Sequence, residues 1–261
     1  MNDENLCTSC SNEDYSIIPI PRIIDKLNRL FANNELDAVG GVLEFWDNEA
    51  RNLSDKRALL EILNEEIGYF RRTGEKENGL KAVDEAIQLI DELGVESLAS
   101  SATIYLNAAT TMKAFGQAVE AMPYYQKAKS IYESTIDPND YRMAALYNNM
   151  SSSYKDLGDL QNCEECCHKA IEILKNNEGC LGEIAVTLIN LAHLYHDTDP
   201  FDERIYEMMD KAWECLTSEE NELDGNFAFL CSKCYPSFGF FGYFEKESEL
   251  IRLIESIYEG N

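Results

Sequence analysis

The sequence is short of basic residues. Its 261 residues hold 22 Lys and Arg against 48 Asp and Glu, a net charge of −26 at pH 7. A surface of that sign repels phosphate backbones and anionic lipid, so neither nucleic acid nor a membrane is expected as a partner. Long apolar runs are missing too, and nothing approaches the ~20 residues that span a bilayer. The opening MNDENLCTSC is acidic and has no apolar stretch, unlike a secretory signal. The expected compartment is the cytoplasm.

Catalytic signatures are equally scarce. There are 3 histidines, and His193 and His196 stand three apart with no HExxH pattern or nucleophile beside them. No Gly-rich phosphate loop, kinase block or helix-turn-helix is present. Carboxylates are so abundant that pairing any two as acid and base would be arbitrary. The chain is therefore expected to be non-enzymatic and to carry no cofactor.

What the sequence does contain is a repeat. Ala86, Ala128, Ala170 and Ala212 sit in similar contexts (VDEAIQLI, YYQKAKSIY, CCHKAIEIL, MMDKAWECL), each 42 residues after the last. Twelve residues before them lie Gly74, Gly116, Gly158 and Pro200, and the next step reaches Gly242. Between these turns, apolar residues recur at three- and four-residue steps, the helical period. Four residues before the turn stands a large side chain: Phe70, Met112, Tyr154, Phe238 and, in a frame shifted by one, Tyr195. Eleven before it come Leu63, Tyr105, Tyr147 and Leu188. Five, nine and twelve residues after it the chain reads Gly79-Val83-Ala86, Ala121-Tyr125-Ala128, Cys163-Cys167-Ala170 and Ile205-Met209-Ala212. The pattern is helix, tight turn, helix, with small residues where the two helices approach.

These motifs resemble the tetratricopeptide repeat, above all in LYNNMSSSYKDLGDLQNCEECCHKAIEIL and YLNAATTMKAFGQAVEAMPYYQKAKSIY. The usual period is 34. The longer period here is similar to the long-helix variant of kinesin light chains and many bacterial repeat proteins. The resemblance spans residues 58–258, and a degenerate earlier unit is expected in PRIIDKLNRLFANNELDAVGGVLEFW. It implies an all-α fold, a right-handed α-solenoid of about six helix pairs over residues 19–261. Turns are expected near residues 33–34, 74, 116, 158, 200 and 242, after a flexible tail over residues 1–18. Pro21 suits the first turn of the opening helix. The closing helix should place Leu250, Ile251, Ile254 and Ile257 inward and act as a polar cap.

The cysteines are read against this repeat. Nine is an odd number, and in a reducing compartment they are thiols. Cys163 and Cys167 occupy packing addresses, whereas Cys166 and His168 should face elsewhere. Cys231 and Cys234 match addresses held by Leu63 and Glu66, Tyr105 and Ala108, and Tyr147 and Met150, so core is expected again. Cys7 and Cys10 lie in the tail. The competing reading is a metal- or redox-responsive protein that uses these CxxC pairs. The aromatic stretch over residues 235–244 is expected to form the last inter-helix core, with Pro236 kinking its helix and glycines making the turn. Its alternative use is self-association.

The family resemblance makes the first helix of each pair the lining of a concave groove that holds peptides. Nine residues before the turns come Glu65, Asn107, Asn149 and Asn190; six before come Gly68, Thr110, Ser152 and His193; three before come Arg71, Lys113, Lys155 and His196. Spaced by three, they share one helical face. Asparagine can donate to and accept from any peptide backbone. The basic ladder points to a carboxylate-bearing or acidic partner segment. The pattern departs at Glu65 and at Gly239, which centres the groove on repeats two to five. The leading expectation is a protein- or peptide-binding adaptor; the runner-up is a peptide-sensing regulator without an effector domain of its own. On the core reading of the cysteines, zinc titrated into the purified protein does not bind at stoichiometric metal. A chelator competition reads this directly, and tight binding of one equivalent would favour the metal reading.

Overall fold

A computed structural model describes residues 18–259. Those residues form twelve α-helices and no strand. In chain order the pairs are α1 (Ile20–Ala32) with α2 (Leu36–Asn52), α3 (Lys56–Thr73) with α4 (Lys76–Leu93), and α5 (Ala99–Ala114) with α6 (Ala118–Thr135). They continue with α7 (Tyr141–Asp156) and α8 (Leu160–Leu174), α9 (Leu181–Thr198) and α10 (Arg204–Leu216), and α11 (Gly225–Phe240) and α12 (Phe244–Glu259). The tail expected over residues 1–18, with Cys7 and Cys10, lies outside the described residues apart from Ile18, which is buried.

The turn inside most pairs depends on one left-handed residue. Gly74, Gly116, Gly158 and Gly242 have φ of 78°, 84°, 75° and 86°, which costs a glycine little. Asn34 does the same work between α1 and α2 at φ 58°. The turn before Pro200 is built differently: Asp199 is extended, and its carboxylate accepts from the Phe201 amide. Helix starts are fixed by aspartates. Asp55, Asp140, Asp159 and Asp224 each accept a backbone N–H from the first turn of α3, α7, α8 and α11. Pro21 lies in the first turn of α1, and Pro236 lies inside α11.

Paired helices approach closely at the small residues. Ala86, Ala128, Ala170 and Ala212 are fully buried, as are Val83, Tyr125, Cys167 and Met209 one turn before them. A Cβ on Gly79 would come within 2.9 Å of the Phe115 ring and 3.3 Å of Phe70 Cβ, so that address admits no larger residue there. Cys163 and Cys167 are buried, and so is Cys166, contrary to the expectation that it faces elsewhere. The reason is that Cys166 faces α6 and α7, beside Lys129, Tyr147 and Tyr154. His168 is exposed as expected. Cys231 and Cys234 are buried, and burial pushes both thiols up to about 12. In the aromatic stretch, Phe238 is buried while Phe240 and Phe244 are exposed. In α12, Leu250 and Ile257 are buried and Ile254 is half-buried, but Ile251 is exposed. Ile251 follows Leu250 by about 100° around the helix, which turns it off the buried stripe.

The pairs pack as a curved array. First helices touch one another, α1 on α3, α3 on α5, α5 on α7 and α9 on α11. Second helices reach the next pair through its first helix, α2 on α3, α4 on α5, α6 on α7 and α8 on α9. An array packed more tightly along its first helices bends towards them, so these line the concave side. The bend brings the ends together. A Cβ on Gly225, at the start of α11, would lie 3.1 Å from the Ala32 carbonyl oxygen at the end of α1. The Arg72 guanidinium, on α3, stands 5.5 Å from the ring centres of both Phe31 and Phe229.

One carboxyl sits at a core address. Glu66 occupies the position that Ala108, Met150 and Cys234 hold in other pairs, and it is buried. Burial first, then the Asp47 carboxylate, pushes it up to about 8 from an ordinary 4.5. A raised acid holds its proton in the folded state only, so its contribution is complete below about pH 4.5 and is lost as pH rises through about 8. Glu66→Gln is therefore expected to raise the melting temperature, by more at pH 8 than at pH 5; an equal gain at both would refute the burial account. Ala170→Leu, at the close approach of α7 and α8, should cost about 1–3 kcal/mol in denaturant unfolding.

Candidate functional site

The concave face is lined by side chains at recurring addresses. On α3 these are Glu61, Asn64, Glu65 and Arg71; on α5, Asn107 and Thr110; on α7, Asn149, Ser152 and Lys155; on α9, Asn190, His193 and His196. The asparagines are not equivalent. Asn107 Nδ2 donates to Asn64 Oδ1 at 2.9 Å, and Asn64 Nδ2 donates to Glu65 Oε1 at 3.3 Å. Asn149 Nδ2 donates to the Ala145 carbonyl of its own helix at 2.8 Å. Asn190 is exposed. At the middle address, Thr110 donates to the Leu106 carbonyl and accepts from the Tyr125 hydroxyl, while Ser152 is half-buried. The acidic start of the face is desolvated: burial raises both Glu61 and Glu65.

The basic ladder is largely engaged inside the protein. Lys113 Nζ lies 3.2 Å from Asp156, and Lys155 Nζ lies 2.9 Å from Asp197. In each case the acid stands one residue beyond the lysine's own address, on the first helix of the next pair. The hydrogen bond from Lys155 holds the Asp197 carboxyl below its ordinary value. Arg71 differs, because the matching position in the next pair is Ala114. Its Nη1 reaches Thr111 Oγ1 at 3.4 Å, and burial pushes the guanidinium down.

The two histidines are covered by the last pair. His193 Nε2 lies 2.8 Å from Ser237 Oγ, and its ring centre is 4.8 Å from Phe241 and 5.3 Å from Phe240. His196 lies against the same rings, at 5.1 Å from Phe240. Burial, reinforced by Lys155, lowers the His193 pKa and favours the neutral ring at neutral pH. At Gly239, where the basic rung is missing, the Glu247 carboxylate of α12 lies over the position a Cβ would take.

Lys233 was not singled out in the sequence. Counted from Gly242, it holds the address nine residues before the turn, where α5, α7 and α9 carry asparagine. It stands on α11 with its Nζ 4.3 Å from the Phe229 ring centre. Burial first and then the Arg71 charge push its ammonium down. Extending the ladder by one more repeat would have found it.

An NMR titration should read His193 below the ordinary histidine value of 6.5. Phe240→Ala should move it upward, because removing the ring readmits water to the imidazolium. No upward movement would count against desolvation as the cause.

The family pattern described as tetratricopeptide repeat matches residues 144–177, the span of α7 and α8. No curated protein sequence matches the chain. Among solved structures it is similar to BtubC (BKLC) from P. vanneervenii, with 20% identity over 75% of this chain and 79% of that one, at a TM-score of 0.65. It is similar to the apo form of RapI, with 16% identity over 92% of this chain and 66% of that one, at a TM-score of 0.62. A putative kinesin light chain of Podosopora anserina with nearly identical TPR-like repeats gives 14% identity over 76% and 94% of the two chains, at a TM-score of 0.55. Identities of this order establish a shared architecture. The fourth pair thus matches the tetratricopeptide repeat, and the chain as a whole shares the TPR-like solenoid fold of these structures.

Proposed function

We propose that this chain is a non-enzymatic adaptor that seats a protein or peptide segment along its concave face. One observation carries the reading. The polar residues of the first helices recur at fixed addresses and lie on the inner side of a curved array, rather than scattered over its surface. Asn149 commits its amide N–H to its own helix and leaves its carbonyl oxygen for a backbone N–H. Ser152 and Asn190 add donors and acceptors on the same face. Because the surface is preformed, the segment bears most of the ordering cost of association.

The charge pattern narrows the segment. Lys113 and Lys155 are balanced by Asp156 and Asp197, so the middle of the groove favours backbone and neutral side chains over a strongly acidic stretch. Acidic groups fit best where a cation lacks such a partner. Phe240 and Phe244 are the exposed rings through which copies of the chain would associate. Among the described residues, no helix is long and apolar enough to cross a membrane.

The test is affinity capture from a native extract, comparing the wild type with Asn149→Ala plus Lys155→Ala. Partner recovery should be lost, while the melting temperature changes little, because a partly exposed ion pair contributes roughly 0–1 kcal/mol. Unchanged recovery of a verified partner would contradict the groove reading.

A further inference from the structure

We propose that the cleft between α2 and α3 is a receptor for one organic cation with an apolar stem, held by the Glu66 carboxylate. The cleft has a volume of about 450 Å³ and lies at the joint of the first two pairs. It is lined with acid: Asp37, Glu44 and Asp47 from α2, Glu66 from α3, and Glu75 from the turn that follows α3. Glu66 is the group that points to a ligand. It is 9% exposed, it lines the cleft, and it makes no hydrogen bond or ion pair among the described residues. The Arg51 guanidinium of α2 is already taken, because it donates to both oxygens of Asp47 and both of Glu85. Lys81 of α4 exerts the weakest pull on Glu66, behind Asp47, Arg51 and Glu85.

A buried carboxyl without a partner is costly, and other pairs avoid that cost with Ala108, Met150 and Cys234 at the same address. A cation in the cleft supplies the missing partner. The form of the cleft favours an organic one. Among the described residues, no three acids are grouped to hold a metal ion, so the charges are spread for a larger cation. Leu43, Tyr69 and Phe70 line the same cleft and offer apolar surface to a stem and a ring to the charge. Two glycines on α2 keep the space. The Tyr69 hydroxyl lies 2.5 Å from where a Cβ on Gly40 would stand, so glycine is what lets that side chain lie against α2. A Cβ on Gly41 would meet nothing within 4 Å, which leaves the cleft open beside it. Packing gives Gly41 no reason to be glycine, and inside a helix glycine is destabilising relative to alanine.

The cation can be a lysine side chain of a partner protein or a free alkyl diamine, and the test separates the two. Full-length protein is titrated calorimetrically, at about 0.15 M salt, with cadaverine, with a blocked alanine peptide that carries one lysine, and with its norleucine analogue. At least one of the two cationic probes should bind at a single site with a Kd of about 1 mM or tighter, and the norleucine peptide should not bind. Binding of cadaverine alone marks the free source, and of the lysine peptide alone the side-chain source; if both bind, the tighter marks it. Glu66→Gln keeps the shape of the side chain and removes its charge, so it should weaken binding about tenfold or more. Glu165→Gln, at an exposed acid on α8, should leave binding unchanged and controls for the net charge. Binding should also tighten about tenfold or more from pH 6 to pH 8, because Glu66, pushed up to about 8, must lose its proton to pair. Failure of both probes to bind, equal losses in the two variants, or an affinity that neither Glu66→Gln nor pH changes, overturns the site. The concave-groove reading is independent of all these results.

Discussion

The architecture depends on how closely two helices of one pair can approach. At Ala86, Ala128, Ala170 and Ala212 the second helix presents a side chain small enough for near backbone contact, and every one is fully buried. In three of the four, a left-handed glycine twelve residues earlier turns the chain back tightly enough to use that contact. Once the pair is a rigid unit, stacking it produces the array, and the first helices pack more closely than the second. Curvature follows, and with it a concave face lined by one address per pair. The groove reading depends on that face existing.

Electrostatics then divides the face into regions. A chain with this excess of acid could have lined its inner side with carboxylates. It keeps lysines there and balances two of them with aspartates from the neighbouring pair, a pattern that ties pair to pair as well as setting the local charge. The result is a near-neutral middle and an acidic start at Glu61 and Glu65. The ends meet where Arg72 stands against Phe31 and Phe229, which are far apart in sequence. His193, favoured as the neutral ring by burial beside Phe240 and Phe241, adds no charge to the face at neutral pH.

Much of this was legible in the sequence, because a repeat supplies its own internal comparison. Four copies of one alanine and five turn residues in phase fixed the helix-pair unit and the addresses that are core. They also identified Cys163, Cys167, Cys231 and Cys234 as packing residues. What stayed hidden depends on contacts between pairs. The pairing of Lys113 with Asp156 requires knowing that neighbouring first helices lie side by side at that register. The burial of Cys166 involves α6, outside its own pair, which brings Lys129 to it. The meeting of Arg72 with Phe229 requires the curvature of the whole array, which no local period encodes. Glu66 was visible as a carboxyl at a core address; burial there raises its pKa first, and the addition from Asp47 of the preceding pair was the part that stayed hidden.

The central claim is that partners are held on the concave face. Its most direct test is site-specific photocrosslinking, with benzoylphenylalanine placed either at Ser152, on the inner face of α7, or at Glu165, exposed on the second helix of the same pair. After irradiation in a native extract, the inner position should give a discrete adduct of higher mass and the outer one none. Adducts from the outer position alone would contradict the account.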